Sequence, residues 1–492
     1  MRRILSYAQW LAMAAILLLS GACSQKYFFG DDGEPGTLEY VNVFACNTMR
    51  AYYLWADEIK DELEAWKLDE PDPVAKVDGL RYKDAEGREM DKWTELYDDF
   101  ETFYEAVNGN RKSFGFNFMF YYANAEETRL VAAVTFTYAD SPAVKAGLQR
   151  GDLIWEVNGQ ALTPDNYLQI ASEQLYDADQ VTLTLTSGAK KTLTAVQMYE
   201  NPVHLACVFD CGGKKVGYLH YTSFTVDSCA ELIEVCKDFK AQGIQELILD
   251  MRYNGGGYAD TEDLFASMLA PEADVTAGHI LSTEIFNSVL TGVYGEQKIP
   301  FKTEHILKQN GIELKFNTQD ANLGISHLYA IVSRGSASAT EALLGELYPY
   351  LPVTLIGGRT HGKYCSGLMI RASEWYEQNA KELGSLAKGK DHVPGWGIYV
   401  MYSRFADRDG VTRCMPDGLE PDYSVKDNPV DGYQLGDARE TMLAAALALA
   451  GGSAPGSVPG SAPGAHPNPR ALTPVLKEFP MDLPAFRIVT LD

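Results

Sequence analysis

The sequence predicts a multidomain α/β protein: a core of parallel βαβ units, a β-rich domain ahead of it and a helical N-terminal domain. Three observations predict it. Strand-like and helix-like runs alternate from 201 to 450, residues 109–200 carry short strands with hairpin signals, and residues 37–108 place apolar side chains at helical spacing. At 492 residues the chain exceeds what one hydrophobic core organises.

The first element is a targeting segment. Arg2 and Arg3 precede an apolar run over 10–19, closed by Ser20-Gly21-Ala22-Cys23. The run is shorter than the roughly 20 residues of a membrane span. Small residues ending in Cys resemble the lipobox of bacterial lipoproteins, although Ser20 stands where Leu is usual and Leu19 lies one place earlier. The resemblance implies a signal peptide over 1–22 and a lipid on Cys23. It also implies a membrane partner at the bacterial cell envelope, with the protein on the outer membrane facing the periplasm or the cell surface.

After a linker over 23–36, Met49, Tyr52, Tyr53, Ile59, Leu63 and Trp66 follow helical spacing, with Asn47-Thr48 as a cap. No catalytic constellation stands out in this domain. The balance of 67 acidic against 42 basic side chains, a net charge of -25, excludes a nucleic-acid surface, which needs clustered positive charge. Cysteines at 46, 207, 211, 229, 236, 365 and 414 are scattered and not spaced as metal ligands. Cys207 and Cys211 either pair across a hairpin or are buried free thiols.

In the β-rich domain, 109–200, a strand-like run over 131–136 leads to Ser141-Pro142-Ala143, a short helix ending at Gly147, Gly151-Asp152, a strand over 153–157 and the hairpin signal Asn158-Gly159. This string resembles the centre of a PDZ domain of bacterial proteases. The resemblance implies binding of a polypeptide's C-terminal segment as an added strand. Its carboxylate loop would fall at Phe114, Gly115 and Phe116, where the alternative is a Gly within an aromatic strand.

The core, 201–450, opens with a strand over 216–224, a helix with Leu232, Ile233, Cys236 and Phe239 on one face, and a strand over 246–251. The theme repeats with a strand over 328–333, a helix from Ala339 and a strand over 353–356. A helix over 438–449 closes it. Residues 451–470 are a Gly/Ser/Pro/Ala linker, and a tail over 471–492 carries apolar residues able to dock.

Two loops of this core carry chemistry. In Ser336-Ala337-Ser338-Ala339-Thr340-Glu341, Ser338 and Glu341 fit a helix capping box, which needs no catalysis. A serine at a strand-to-helix junction is also where unpaired helix-start amides meet a developing oxyanion. Lys363 follows 25 residues later (363 − 338), after one helix and one parallel strand. It acts as a base only when neutral, so burial must bring its pKa down from about 10.4 towards neutrality, on the order of 4 kcal/mol. The alternative is a solvated loop lysine.

The Ser-Ala-Ser-Ala-Thr-Glu string, the Gly362-Lys363 pair, residues 249–257 (Leu-Asp-Met-Arg-Tyr-Asn-Gly-Gly-Gly) and Gly418-Leu419-Glu420-Pro421-Asp422 together resemble the C-terminal processing, or tail-specific, serine peptidases. The resemblance spans about 110 to 450. It implies a crotonase-like spiral core, Ser338 as nucleophile, Lys363 as base, and an oxyanion hole from the amides of Ala339 and of the Gly255-Gly256 turn. It implies polypeptide substrates and no cofactor or metal. One departure stands out: many members place a lysine-orienting Gln four residues after the base, where this chain has Gly367. Ser366 and Glu341 are the candidate substitutes. His361 is read as substrate-side packing rather than a triad base, and Asp250 as a strand-end residue satisfied by nearby amides. The competing readings are a peptide-binding lipoprotein that has lost turnover and a structural envelope protein.

Overall fold

The computed structural model describes residues 36–107, 110–309, 312–451, 477–478 and 486–488. The expected signal segment and lipidation site Cys23, and the 452–470 part of the expected linker, lie outside them.

Alternation of strand and helix gives a six-stranded sheet. Its order is Val203–Cys211, Lys214–Tyr221, Glu246–Asp250, Leu328–Val332, Val353–Gly357, Tyr423–Ser424. The first pair is antiparallel and the later ones parallel. Two consequences of this topology matter for function. The helix Cys229–Gln242 buries Leu232, Ile233, Cys236 and Phe239, as their spacing predicts, and stops at Gly243 in the left-handed region. Ser338 and Lys363 both follow the C-terminal ends of neighbouring parallel strands, the edge where α/β sheets collect ligands.

A second sheet was not legible in the sequence. It runs Gly256–Tyr258, Phe486–Ile488, Cys365–Arg371, Gly397–Asp407, Ile280–Ile285, Gln297–Pro300, with Glu95–Tyr97 added against Gly397–Asp407. Its strands come from four distant parts of the chain, so no local period announces it.

Residues 37–107 contain the helices Thr37–Tyr52, Lys60–Glu64, Pro73–Gly79 and Phe100–Val107, but they do not close a core of their own. Their apolar side chains belong to the same cluster as those of the core region over 201–450. Asn287 donates to the carbonyls of Ala51 and Tyr53, and Leu54 N donates to Met401 O at 2.8 Å. The expected cap at Asn47-Thr48 is corrected: both lie inside the helix Thr37–Tyr52 and are buried. Tertiary burial overrides their capping preference, and Asn47 Nδ2 satisfies itself on Val43 O at 2.7 Å.

The β-rich unit has a separate apolar core, built on Phe118, Phe120, Val134, Ile154, Leu183 and their neighbours. Its sheet runs Lys477–Glu478, Phe116–Tyr122, Leu130–Thr137, Leu153–Val157, Gln180–Leu185, Lys190–Thr194. Asn158 and Gly159 both take positive φ, the primed turn that their sequence signals, and Val157 pairs with Gln160 across it. The unit is fastened to the six-stranded sheet by buried charge. Arg150 reaches Asp427 at 2.8 Å and Tyr253 Oη at 3.0 Å, while Arg252 bridges Asp250, Asp427 and Glu440.

All seven described cysteines are free thiols. Cys207 and Cys211 sit on one strand, Val203–Cys211, which settles the open alternative against a bridge between them.

Candidate active site

Ser338 lies between the strand Leu328–Val332 and the helix Ala339–Leu347, at φ 60° and ψ −112°. For a residue with a Cβ this conformation is strained, a feature that clusters at functional sites. Ser338 is fully buried, and its Oγ has no hydrogen-bond partner among the described residues. Ala339 opens the helix, whose first N–H groups have no acceptor within the helix. The loop is stitched to the 251–254 turn: Ser336 Oγ donates to Met251 O at 2.7 Å, and Ala337 N and Thr340 Oγ1 donate to Asn254 O at 3.1 and 3.0 Å.

Glu341 ties this loop to the one bearing Lys363. One carboxylate oxygen accepts the Ser338 and Lys363 amides, both at 2.9 Å; the other accepts the Gly362 amide at 2.7 Å and the Thr360 hydroxyl. Burial raises the Glu341 carboxyl to about 7, against four donors that favour the anion. Glu341 therefore fixes the backbone of both loops, whereas the sequence reading had it as a substitute for the orienting Gln.

Lys363 is fully buried, and burial lowers its pKa to about 7. Its Nζ donates to Tyr399 Oη at 2.9 Å and lies 4.8 Å from the Tyr399 ring centre and 5.3 Å from that of Trp93. The ring faces attract the ammonium and so oppose burial, which is the larger influence. Tyr399 answers the departure at 367. A Cβ on Gly367 would meet the Tyr399 ring at 2.2 Å, so the glycine is the space that the tyrosine occupies. The two residues sit on paired antiparallel strands, Cys365–Arg371 and Gly397–Asp407.

Substitutions here have an expected outcome. Tyr399→Phe keeps the ring but removes the Nζ contact, and kcat is expected to fall roughly tenfold or more as the amine loses its aim. Its pH–rate midpoint should shift as well. Gly367→Gln is expected to expel the tyrosine and reduce activity further, with partial recovery in Gly367→Gln/Tyr399→Ala. A pH–rate profile of the three variants checks this.

The turn bearing the other expected oxyanion donors is organised by Asn254, which is buried, donates to Tyr221 O at 3.0 Å and accepts the Gly256 amide at 2.9 Å. This corrects the expectation for Gly256, whose N–H is directed at that side chain. Gly255 remains in the turn between Glu246–Asp250 and Gly256–Tyr258. Asp250 does end its strand, but its main partners are the Arg252 guanidinium at 2.8 and 3.0 Å and Tyr218 Oη at 2.8 Å. His361 is half-buried, its ring 6.1 Å from that of Trp93 and its amide on Ser336 O at 3.0 Å.

In the β-rich unit, Gly115 has φ 76°, and a Cβ there would strike Ser141 at 2.2 Å. Its amide donates to Ser113 Oγ at 2.9 Å, so it is not turned outward as the carboxylate-loop expectation required. Phe114 and Phe116 are buried. A carboxylate cluster joins Glu262 and Asp263 to Glu346 of the helix Ala339–Leu347, with one oxygen of each within 4.8 Å of the others. Sequence reasoning missed it because its members lie far apart in the chain.

Comparison with known proteins matches residues 215–425 to the family model of peptidase family S41. A "Probable CtpA-like serine protease" of Staphylococcus epidermidis is 25% identical over 336 residues, covering 68% of this chain and 61% of that protein. One of the same description from Staphylococcus aureus is 24% identical over 264 residues, covering 54% and 46%. The chain thus spans about half to six-tenths of those relatives' lengths. A crystal structure described as "Putative S41 protease" from Bacteroides fragilis aligns with a TM-score of 0.59 at 22% identity, over 86% of this chain and 99% of the other. At that identity the likeness is one of fold.

Proposed function

We propose that this protein, whose residues 215–425 match the family model of peptidase family S41, is a serine endopeptidase of the C-terminal processing type, acting on exposed or unfolded polypeptides. One observation carries the reading: a fully buried lysine lowered to about 7 shares a carboxylate clamp with a strained, buried serine. Lys363, neutral, takes the Ser338 proton as Oγ attacks the scissile carbonyl. Charge on the tetrahedral oxygen meets the Ala339 amide and the Gly255 turn. The Lys363 ammonium then protonates the departing amine, and water, deprotonated by the same lysine, releases the acyl group from Ser338. Tyr399 and Glu341 are positioning residues. The residues need no metal or cofactor for these steps.

The β-rich unit is read as a PDZ-like module that holds a substrate's C-terminal segment by strand addition, and Cys23 as a lipid anchor at the cell envelope. The reading of a peptide-binding lipoprotein without turnover rests on the absent Gln, and the Tyr399 hydroxyl on Lys363 Nζ supports the peptidase instead. Digestion of casein by wild type, Ser338→Ala and Lys363→Ala is the test. Cleavage by wild type alone supports the peptidase, and equal cleavage by all three would sink it.

A further inference from the structure

The strand Phe486–Ile488 lies between two pieces of the catalytic region. It pairs in parallel with Gly256–Tyr258, in register Gly256 with Phe486 and Tyr258 with Ile488, and Ile488 also pairs in parallel with Gly367. The other edge of Gly256–Tyr258 is already engaged: Phe224 N donates to Gly256 O, and Tyr258 N to Phe224 O. The edge that the tail covers is therefore the open one, a row of backbone groups suited to strand addition. It starts at the turn after Gly255 and faces the strand that follows Lys363.

Upstream, Lys477–Glu478 pairs antiparallel with Tyr122 and Tyr121 of the β-rich unit. The two docking points are neighbours, because Tyr121 and Met119 share an apolar cluster with Tyr253, three residues before Gly256. Seven residues lie between Glu478 and Phe486, and the eight Cα steps (486 − 478) reach at most about 28 Å. The tail thus visits both places where a polypeptide substrate would be held, and in an order of its own. A substrate captured on the β-rich unit by its carboxyl end would offer an upstream segment to Ser338. The tail instead brings the later of its two paired pieces to the strand after the Gly255 turn.

We propose that the paired pieces Lys477–Glu478 and Phe486–Ile488 occupy backbone edges that a polypeptide substrate would use and so hold activity down, an inference that rests on the peptidase reading. Both pieces belong to the same chain as the edges they cover, so their docking is intramolecular and weak intrinsic affinity suffices. An incoming polypeptide competes for the same backbone edge.

The test uses the full-length chain carrying Arg487→Pro and Ile488→Pro, which removes donors that the pairing needs. Its kcat/KM on an unfolded substrate is expected to rise severalfold over wild type, while Ala465→Pro in the linker leaves it unchanged. A synthetic peptide of residues 477–492 added to the double-proline protein should raise KM without changing kcat. Binding of the labelled peptide to the double-proline protein with Ser338→Ala measures docking without turnover. Equal activity of wild type and double-proline protein, with no peptide binding, overturns the proposal and leaves the peptidase reading intact. Peptide binding with no cleavage by any form keeps the docking and overturns the peptidase. Loss of the tail from purified wild type but not from Ser338→Ala, read by mass spectrometry, would make the segment a substrate and overturn its inhibitory role.

Discussion

Lys363→Met is expected to lower kcat roughly a hundred- to ten-thousandfold and, at the same time, to stabilise the protein. Methionine matches the lysine stem in length and leaves no amine in a site that water does not reach. The gain follows from the pKa. Burial lowers Lys363 from 10.5 to about 7, so between those values the unfolded chain holds the proton more firmly than the native one. Stability from this group therefore rises with pH through that window, and below about 7 the native state carries the full penalty of a buried ammonium. Unfolding midpoints of wild type and Lys363→Met should converge as pH rises from 7 to 10. A wild type more stable than the variant at pH 7 would contradict this account. Activity follows the same proton: kcat/KM should climb with pH to a plateau above about 7. Protonation of Glu341, also near 7, adds to the acid side and should steepen it beyond one proton.

Arg252→Met is expected to destabilise the protein by about 3–5 kcal/mol. Arg252 is fully buried and meets both oxygens of Asp250, both of Glu440 and one of Asp427 at 2.7–3.0 Å. With Arg150 it makes two cations against three carboxylates; removing one leaves the acids facing each other in a medium that screens them poorly. Asp427 is held well below the usual carboxylate range by those two guanidinium groups, despite its burial. Protonation cannot relieve the variant near neutral pH without a large upward move in at least one acid. A lower urea midpoint for Arg252→Met than for the more peripheral Arg150→Met would bear this out, and equal midpoints would not. Because Tyr253 and Asn254 follow directly, the variant should also lose activity beyond what its unfolded fraction explains.

The sequence made four strands of the six-stranded sheet readable because they belong to two local βαβ units, in each of which strand, helix and strand follow within about 40 residues; Val203–Cys211 and Tyr423–Ser424 carried no such signal. For the same reason it placed Ser338 and Lys363 on one edge. What it hid came from elsewhere in the chain. Trp93 arrives from a segment read as a separate helical domain, and Tyr399 from a strand after an intervening helical stretch. Asn254 was visible only as part of a glycine-rich string. The cap assigned to Asn47-Thr48 failed because helix Thr37–Tyr52 is buried almost all round, where local preference counts least. A signal for Tyr399 did exist. A glycine where a large polar side chain is usual means that something else fills the volume, and the aromatic content of 11% offered many candidates.

The fit of Tyr399 into the space over Gly367 also bears on how such a site can change over generations. A side chain at 367 collides with the tyrosine, and a smaller residue at 399 leaves the lysine unaimed. Neither position can drift towards the other solution by a single step without passing through a poorer enzyme. The two positions are therefore locked together: a change at one is tolerated only with a matching change at the other.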